Sequence, residues 1–182
     1  MRLFIALDIP GEIRGRMAEY VERVRQYAPE SRWARVEGLH VTLKFLGEVK
    51  ESKLPDIKTA LSLMKASPFE VSLQAIGFFP NPRSARVFWI GVQATDALPH
   101  LAKAIDEKLE EQGFAREQRP YSPHLTLARA GAPGSLRGLA PLLEHEAPPQ
   151  FGTMTARDFF LFQSQLGKGG SRYTKLETFS LG

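Results

Sequence analysis

The sequence has no cysteine and only four histidines among its 182 residues. The lack of cysteine excludes disulfides, thiol nucleophiles and thiolate metal ligands, and it is consistent with a reducing cytoplasm, where we expect the protein to act. No run of about 18 apolar residues predicts a membrane span. The apolar start at residues 3–7 is stopped by Asp8 and Pro10, so it predicts a strand and not a signal peptide.

Neither sign of charge dominates, since 24 Lys and Arg residues against 20 Asp and Glu residues give a net charge of +4. This excess is compatible with an anionic substrate but is too small for a protein that coats nucleic acid. Hydrophobic residues make up 43% of the chain, which is enough to form a core. We therefore predict a monomer with a single domain over residues 1–182, built of two similar lobes.

Hydrophobic periodicity predicts the elements. Alternating apolar residues predict strands at 3–7, 33–36, 40–46, 69–79, 86–92, 124–129, 154–163 and 173–181. Helical spacing predicts a helix after Pro10, helices capped by Ser52 and Asp96, and a broken helix over 136–143. Residues 165–170 predict a flexible, glycine-rich loop.

Each half of the chain mixes hairpins with helices, and the order of elements is similar in the two halves. Such an order favours an α+β fold with antiparallel pairing over a doubly wound parallel sheet. A pseudo-two-fold arrangement would give a bilobal fold in which antiparallel sheets line a central groove and the helices lie outside.

A four-residue phrase, histidine-apolar-threonine-leucine, occurs twice, beginning once at His40 and once at His124. Residues two apart in a strand point to the same side. Each imidazole therefore shares a face with the threonine of its own phrase, Thr42 or Thr126, while the apolar residues can anchor the strand to a core. Two such strands brought together would form one cleft containing two imidazoles and two hydroxyls.

These four side chains suit the hydrolysis of a cyclic phosphate. One imidazole can take a proton from water while the other gives a proton to the leaving oxygen. The two hydroxyls can donate hydrogen bonds to the phosphate oxygens as charge builds. The scheme needs no metal ion or other cofactor, and no metal-binding motif is present. The other histidines, His100 and His145, lie in unrelated surroundings, which predicts solvated or packing positions.

The paired phrases resemble those of the 2H phosphoesterase superfamily. More closely, nearly the whole chain resembles the RNA 2′,3′-cyclic phosphodiesterases, also called 2′-5′ RNA ligases. The segments that carry this likeness are 2–7, 39–48, 78–82, 86–87, 123–129, 164–170, Tyr173 and 179–181.

The resemblance implies a bilobal fold and hydrolysis of RNA 2′,3′-cyclic phosphate ends, for example those of tRNA fragments, to a 2′-phosphate. It also implies His40 as the general acid and His124 as the general base, an order that the near-symmetric motifs do not set by themselves. The family's ligase activity would join RNA ends through a 2′-5′ bond. Two alternatives stay open: a nucleotide-binding module without turnover, and a phosphodiesterase for small cyclic nucleotides such as ADP-ribose 1″,2″-cyclic phosphate.

Further residues are candidates for contacts with the substrate. Strand alternation puts Lys44 on the face of the first histidine, where it can contact phosphate or lie at a solvated edge. It puts Phe45 on the opposite, core-facing side. Arg129 also alternates away from its histidine, so a role in the cleft needs a bulge or the end of the strand, and the resemblance keeps it as a candidate. Tyr173 follows the glycine-rich segment and is a candidate to cap the groove.

Other basic residues lie near the two phrases, and we expect at least half of them to be solvated. They are Arg32 and Arg35 near the first phrase, and Arg116 and Arg119 near the second. Both tryptophans, Trp33 and Trp89, are predicted to pack in the core.

Overall fold

The computed structural model describes residues 1–182 and contains nine β-strands and four α-helices. The strands are β1 (Arg2–Leu7), β2 (Arg32–Trp33), β3 (Val41–Glu48), β4 (Phe69–Phe79), β5 (Val87–Ala94), β6 (His124–Arg129), β7 (Gln150–Ala156), β8 (Asp158–Gly167) and β9 (Gly170–Ser180). The helices are α1 (Gly11–Val24), α2 (Leu54–Ser62), α3 (Ala97–Glu110) and α4 (Pro141–His145).

The strands form two antiparallel sheets, ordered β3-β1-β8-β9 and β2-β6-β5-β4-β7. The predicted α+β class with antiparallel pairing is therefore confirmed. The sheets do not follow the two halves of the chain, because the N-terminal β1 and β3 share a sheet with the C-terminal β8 and β9. Each sheet, with the helix that connects its paired strands, is called here the His40 lobe or the His124 lobe after the histidine phrase it carries.

The same unit of strand, helix and antiparallel strand occurs in both lobes. β1 leads through α1 to β3 in the His40 lobe, and β5 leads through α3 to β6 in the His124 lobe. The helices cross between lobes, since α3 packs against β3 and α1 packs against β7. A continuous core of 44 buried residues consequently joins the two sheets.

The helices follow the apolar pattern, but their predicted caps do not. The apolar residues at helical spacing in α1 and α3 are buried: Ile13, Met17, Tyr20, Val21 and Val24 in α1, and Leu98, Leu101, Ile105 and Leu109 in α3. Ser52 lies inside a 3-10 turn, Glu51–Lys53, and α2 begins after it at Leu54. Asp96 precedes α3 without a side-chain capping bond. None of the helices is long and apolar enough to cross a membrane.

Several strand predictions need correction. The strand predicted at 154–163 is two strands, β7 and β8, separated at Arg157. Residues 165–170 are not a loose loop, because β8 and β9 stay paired to the contact between Gly167 and Gly170. The strand predicted at 33–36 is limited to Arg32–Trp33, since the chain enters a 3-10 turn at Val36.

The prediction that Lys44 shares a face with His40 is wrong. Lys44 is only 8% exposed, and its ammonium pairs with the carboxylate of Asp106 on α3. It also donates to the carbonyl of Ala115 at 2.9 Å, in the segment between α3 and β6. Burial alone would raise the pKa of Asp106, but the Lys44 hydrogen bond and the backbone N–H of Glu117 lower it. Lys44 thus ties β3 to the segment that leads to the second histidine.

We expect Lys44→Met to destabilise the protein by about 2 kcal/mol, because the half-buried Asp106 carboxylate loses its paired ammonium and keeps as its cation only the guanidinium of Arg116, 3.8 Å away. Urea unfolding at neutral pH measures this loss. The matched control is Lys103→Met on α3, the helix that carries Asp106, where an exposed pair with Glu107 is expected to contribute about 0.5 kcal/mol. Equal losses in the two variants would show that the Lys44 pair has no special weight.

Candidate active site

The two histidine phrases fold into strands with the same burial pattern. From His40 to Phe45, and again from His124 to Arg129, the six residues run half-buried, buried, half-buried, buried, buried and exposed. The four residues proposed for catalysis, His40, Thr42, His124 and Thr126, are all half-buried. The leucine and valine residues between them belong to the core. The predicted division of each phrase into a polar and an apolar face is therefore present in the structure.

A bulge interrupts both strands at the same place in the phrase. In β3, Thr42 pairs with Ala6 and Lys44 with Ile5, so Leu43 is the additional residue. In β6, Thr126 pairs with Trp89 and Ala128 with Phe88, so the additional residue is the corresponding leucine of the second phrase. One extra residue reverses the side to which every later side chain points. The bulges therefore direct Lys44 and Ala128 inward, and Phe45 and Arg129 outward.

The reversal changes the position of two candidates. Phe45, predicted to face the core, is 72% exposed and contacts the ring of Phe4, which itself contacts the imidazole of His40. Arg129 is exposed on the face of β6 that carries His124 and Thr126, as its predicted role in the cleft requires. The polar face of each lobe thus ends in an exposed large side chain, an aromatic ring in one and a guanidinium in the other.

Three aromatic rings surround His40. The ring centroids of Phe162, Tyr173 and Phe4 lie 4.5, 5.0 and 5.4 Å from the centroid of its imidazole. Tyr173 reaches this position across Gly38, where a Cβ atom would lie 2.7 Å from the tyrosine ring. The structure therefore brings the candidate Tyr173 next to His40, although β9 joins the lobe from the other end of the chain.

Arg14 on α1 holds the segment that precedes His40. Its guanidinium donates to the carbonyls of Val36 and Glu37 at 2.8 and 3.1 Å, and to the carboxylate of Asp8 at 2.7 Å. Asp8 also forms a salt bridge with Lys175 on β9. Three distant parts of the chain are thus joined beside the imidazole. These residues were not predicted, because no local sequence pattern distinguishes them from surface charges.

The surroundings of His40 disfavour its charged form. Burial among the rings is the largest cause, and together with the charges of Arg14 and Lys175 it lowers the pKa of His40 to about 4. Asp8 and the carbonyl of Gly38 act in the opposite direction but do not compensate. At neutral pH the imidazole of the unliganded protein is therefore neutral.

His124 is oriented by its own backbone. Its Nδ1 atom lies 2.8 Å from the carbonyl oxygen of Ser122, so Nε2 is the nitrogen left for a substrate. The ring stands edge to face with Phe79, at 5.0 Å between centroids. Trp89 was predicted to pack in the core, but its indole lies on the same face of the sheet as His124. There it covers Gly77, where a Cβ atom would lie 2.1 Å from the indole. Trp33, in contrast, packs against the core.

A hydrogen bond across the lobes links the two phrases. The hydroxyl of Tyr121, three residues before His124, donates to the carbonyl of Thr42 at 2.9 Å. Burial raises the pKa of Tyr121, so the phenol stays protonated and keeps this bond. Together with Lys44, Tyr121 attaches the approach to β6 directly to β3.

The remaining histidines, His100 and His145, are exposed on α3 and α4, away from both phrases. No group of three or more His, Cys, Asp or Glu side chains could hold a metal ion. Of the basic residues near the phrases, Arg116 pairs with acidic residues of α3, whereas Arg35 lines a cavity beside His40.

Known proteins match this chain over most of its length. The sequence profile of the 2′-5′ RNA ligase superfamily matches residues 11–166. A protein of Archaeoglobus fulgidus named RNA 2′,3′-cyclic phosphodiesterase is 37% identical over 179 residues, which cover 98% of this chain and 99% of that protein. A Methanothermobacter thermautotrophicus protein of the same name is 33% identical over 183 residues, covering 100% and 99%.

Solved structures agree. The crystal structure of Escherichia coli LigT complexed with 3′-AMP superposes with a TM-score of 0.79 at 30% identity, covering 99% of this chain and 97% of that one. The chain therefore belongs to the 2′-5′ RNA ligase superfamily, and the resemblance inferred from the paired phrases is confirmed.

We expect the pKa of His40, followed by NMR through its ring proton signals, to lie near 4 in the free protein. A nucleoside 2′-phosphate should raise it by about one unit or more, because a nearby anion favours the charged imidazole. His145 serves as the internal reference, since its exposed ring lies outside the site. A pKa near 6.5 that the ligand does not move would contradict the described surroundings of His40.

Tyr121→Phe should lower kcat about tenfold with a smaller change in KM, because small displacements of catalytic groups are costly. Its effect on stability should be about 1 kcal/mol, the usual worth of one hydrogen bond. Tyr27→Phe, which removes an exposed hydroxyl, is the control. If Tyr121→Phe loses stability but keeps kcat, the bond to Thr42 is only structural.

Proposed function

We propose that the protein hydrolyses the 2′,3′-cyclic phosphate at an RNA end to a 2′-phosphate by acid–base catalysis with His40 and His124. The observation that carries the proposal is the matched pair of bulged strands, each presenting a half-buried histidine and threonine on one face. The names of the relatives from Archaeoglobus fulgidus and Methanothermobacter thermautotrophicus support the same substrate.

The proposed reaction is an in-line displacement at phosphorus. One imidazole accepts a proton from water as the water oxygen forms a bond to phosphorus. The bond from phosphorus to the 3′ oxygen breaks, and the other imidazole gives that oxygen a proton. Thr42 and Thr126 donate hydrogen bonds to the non-bridging oxygens, where negative charge accumulates. No step needs a metal ion.

The protonation state of His40 affects how the general-acid and general-base roles are assigned. The resemblance implies His40 as the general acid, yet its imidazole is neutral at neutral pH in the unliganded protein. A bound phosphodiester brings a negative charge to the imidazole and raises its pKa. In the acid role, His40 therefore gains its proton together with the substrate, and the aromatic rings limit its protonation when the site is empty.

Three further residues are proposed to bind the substrate. Arg129 carries an exposed guanidinium on the polar face of β6, where it suits a phosphate oxygen. Phe45 offers an exposed ring on the polar face of β3, on which a terminal base can stack. Tyr173 packs beside His40 and limits access of water to that imidazole. Lys44 has no place in this list, because its ammonium is buried against Asp106.

Replacement of His40 or His124 by Ala should lower turnover of a nucleoside 2′,3′-cyclic phosphate by roughly 10²–10⁴-fold, the usual worth of a positioned acid or base. The assay is run with EDTA present, as the proposed mechanism allows. His100→Ala and His145→Ala are the matched controls and should retain activity.

Two results would contradict the proposal. One is equal loss in all four histidine variants, and the other is a wild-type activity that EDTA abolishes and added zinc or magnesium restores. A wild-type protein that binds the cyclic nucleotide without turnover would point to a binding module. Preference for ADP-ribose 1″,2″-cyclic phosphate over an RNA end would indicate a small cyclic nucleotide as substrate.

A further inference from the structure

A large cavity opens on the outer side of His40. Its volume is about 930 Å³, in the upper part of the range typical of small-molecule sites. One wall is the segment from Arg35 to His40, and the opposite wall is the first part of β9, from Ser171 to Lys175. The proposed cyclic-phosphate site uses only His40 and Tyr173 of this lining, so the basic part of the cavity has no assigned occupant.

The cavity carries an excess of positive charge. Four basic side chains line it, against the two carboxylates of Asp8 and Glu37. Arg14 and Lys175 are both engaged by Asp8. The other two basic residues, Arg35 and Arg172, are exposed and form no salt bridge.

Arg35 and Arg172 both line the cavity and both lie at the β8–β9 hairpin. Arg35 lies against the turn of the β8–β9 hairpin, where a Cβ atom on Gly169 would lie 3.0 Å from its Nη2 atom. A residue larger than glycine at this position would push the guanidinium away. Arg172 is three residues further along the same hairpin. Two guanidinium groups without acidic partners thus line the same cavity as His40.

We propose that Arg35 and Arg172 bind the phosphodiester on the 5′ side of the terminal nucleoside, an inference that rests on the proposed function. An RNA with a cyclic phosphate at its 3′ end continues only in the 5′ direction. The phosphodiester on the 5′ side of the terminal nucleoside must therefore lie to one side of the catalytic site. The cavity beside His40 offers space there, together with basic side chains that have no acidic partner. Guanidinium groups bind phosphate oxygens through paired hydrogen bonds. The cavity thus selects an RNA chain over a free cyclic mononucleotide.

The test compares three substrates with the wild-type protein. They are a nucleoside 2′,3′-cyclic phosphate, a dinucleotide with the same cyclic end, and that dinucleotide with a neutral methylphosphonate linkage. We expect kcat/KM for the charged dinucleotide to exceed that for the other two about ten- to hundredfold, the usual range for charge-assisted hydrogen bonds.

The double variant Arg35→Gln, Arg172→Gln should lose this preference, so that the charged and neutral dinucleotides are turned over alike. Arg25→Gln, an exposed arginine at the end of α1, is the control and should keep the wild-type preference. An unchanged preference in the double variant overturns the proposal. Equal wild-type turnover of the charged and neutral dinucleotides does so too, because the cavity would then bind a nucleoside.

The same assay distinguishes a failure of the phosphate subsite from a failure of the proposed function. Turnover of the mononucleotide that depends on His40 and His124, without preference for the charged dinucleotide, overturns the phosphate subsite alone. Absence of turnover with all three substrates overturns both the proposed function and the subsite.

Discussion

The structure of the site depends on one added residue in each histidine strand. Without the bulges at Leu43 and Leu127, strict alternation would direct Lys44 toward the substrate and Phe45 into the core. With them, Lys44 turns inward and pairs with Asp106, which fixes α3 and the approach to His124 against β3. The same backbone irregularity thus shapes the polar face of each lobe and joins the lobes at a defined position.

Much of the fold was readable from periodicity, because alternation and helical spacing report which faces must be buried. Residues 69–79 and 124–129 match β4 and β6 to the residue. The pairing was not readable, because β8 pairs with β1 from more than 150 positions away, and no local pattern encodes that contact. The capping roles predicted for Ser52 and Asp96 are wrong. Ser52 lies inside the 3-10 turn that precedes α2, and Asp96 precedes α3 without a side-chain hydrogen bond to it.

In the candidate site, too, the residues that belong to a local pattern were predictable and those that depend on tertiary contacts were not. The two phrases could be found because their spacing is local, and the structure places their polar residues on one face of each strand. Lys44 and Phe45 were assigned to the wrong faces, since a bulge leaves no mark in a pattern of apolar residues. Arg14, Asp8 and Lys175 could not be found, because only tertiary contacts bring them to His40. Tyr173 was proposed because it follows the glycine-rich segment, and its ring lies beside His40.

In the proposed reaction, two histidines on bulged strands open a 2′,3′-cyclic phosphate by expelling the 3′ oxygen. The most direct measurement is the identity of the product formed from an RNA that ends in this group, with the 2′- and 3′-phosphate isomers resolved chromatographically. The account predicts the 2′-phosphate alone, and an oxygen atom from ¹⁸O-labelled water on its phosphorus. A 3′-phosphate product, or no incorporation of the label, would contradict it.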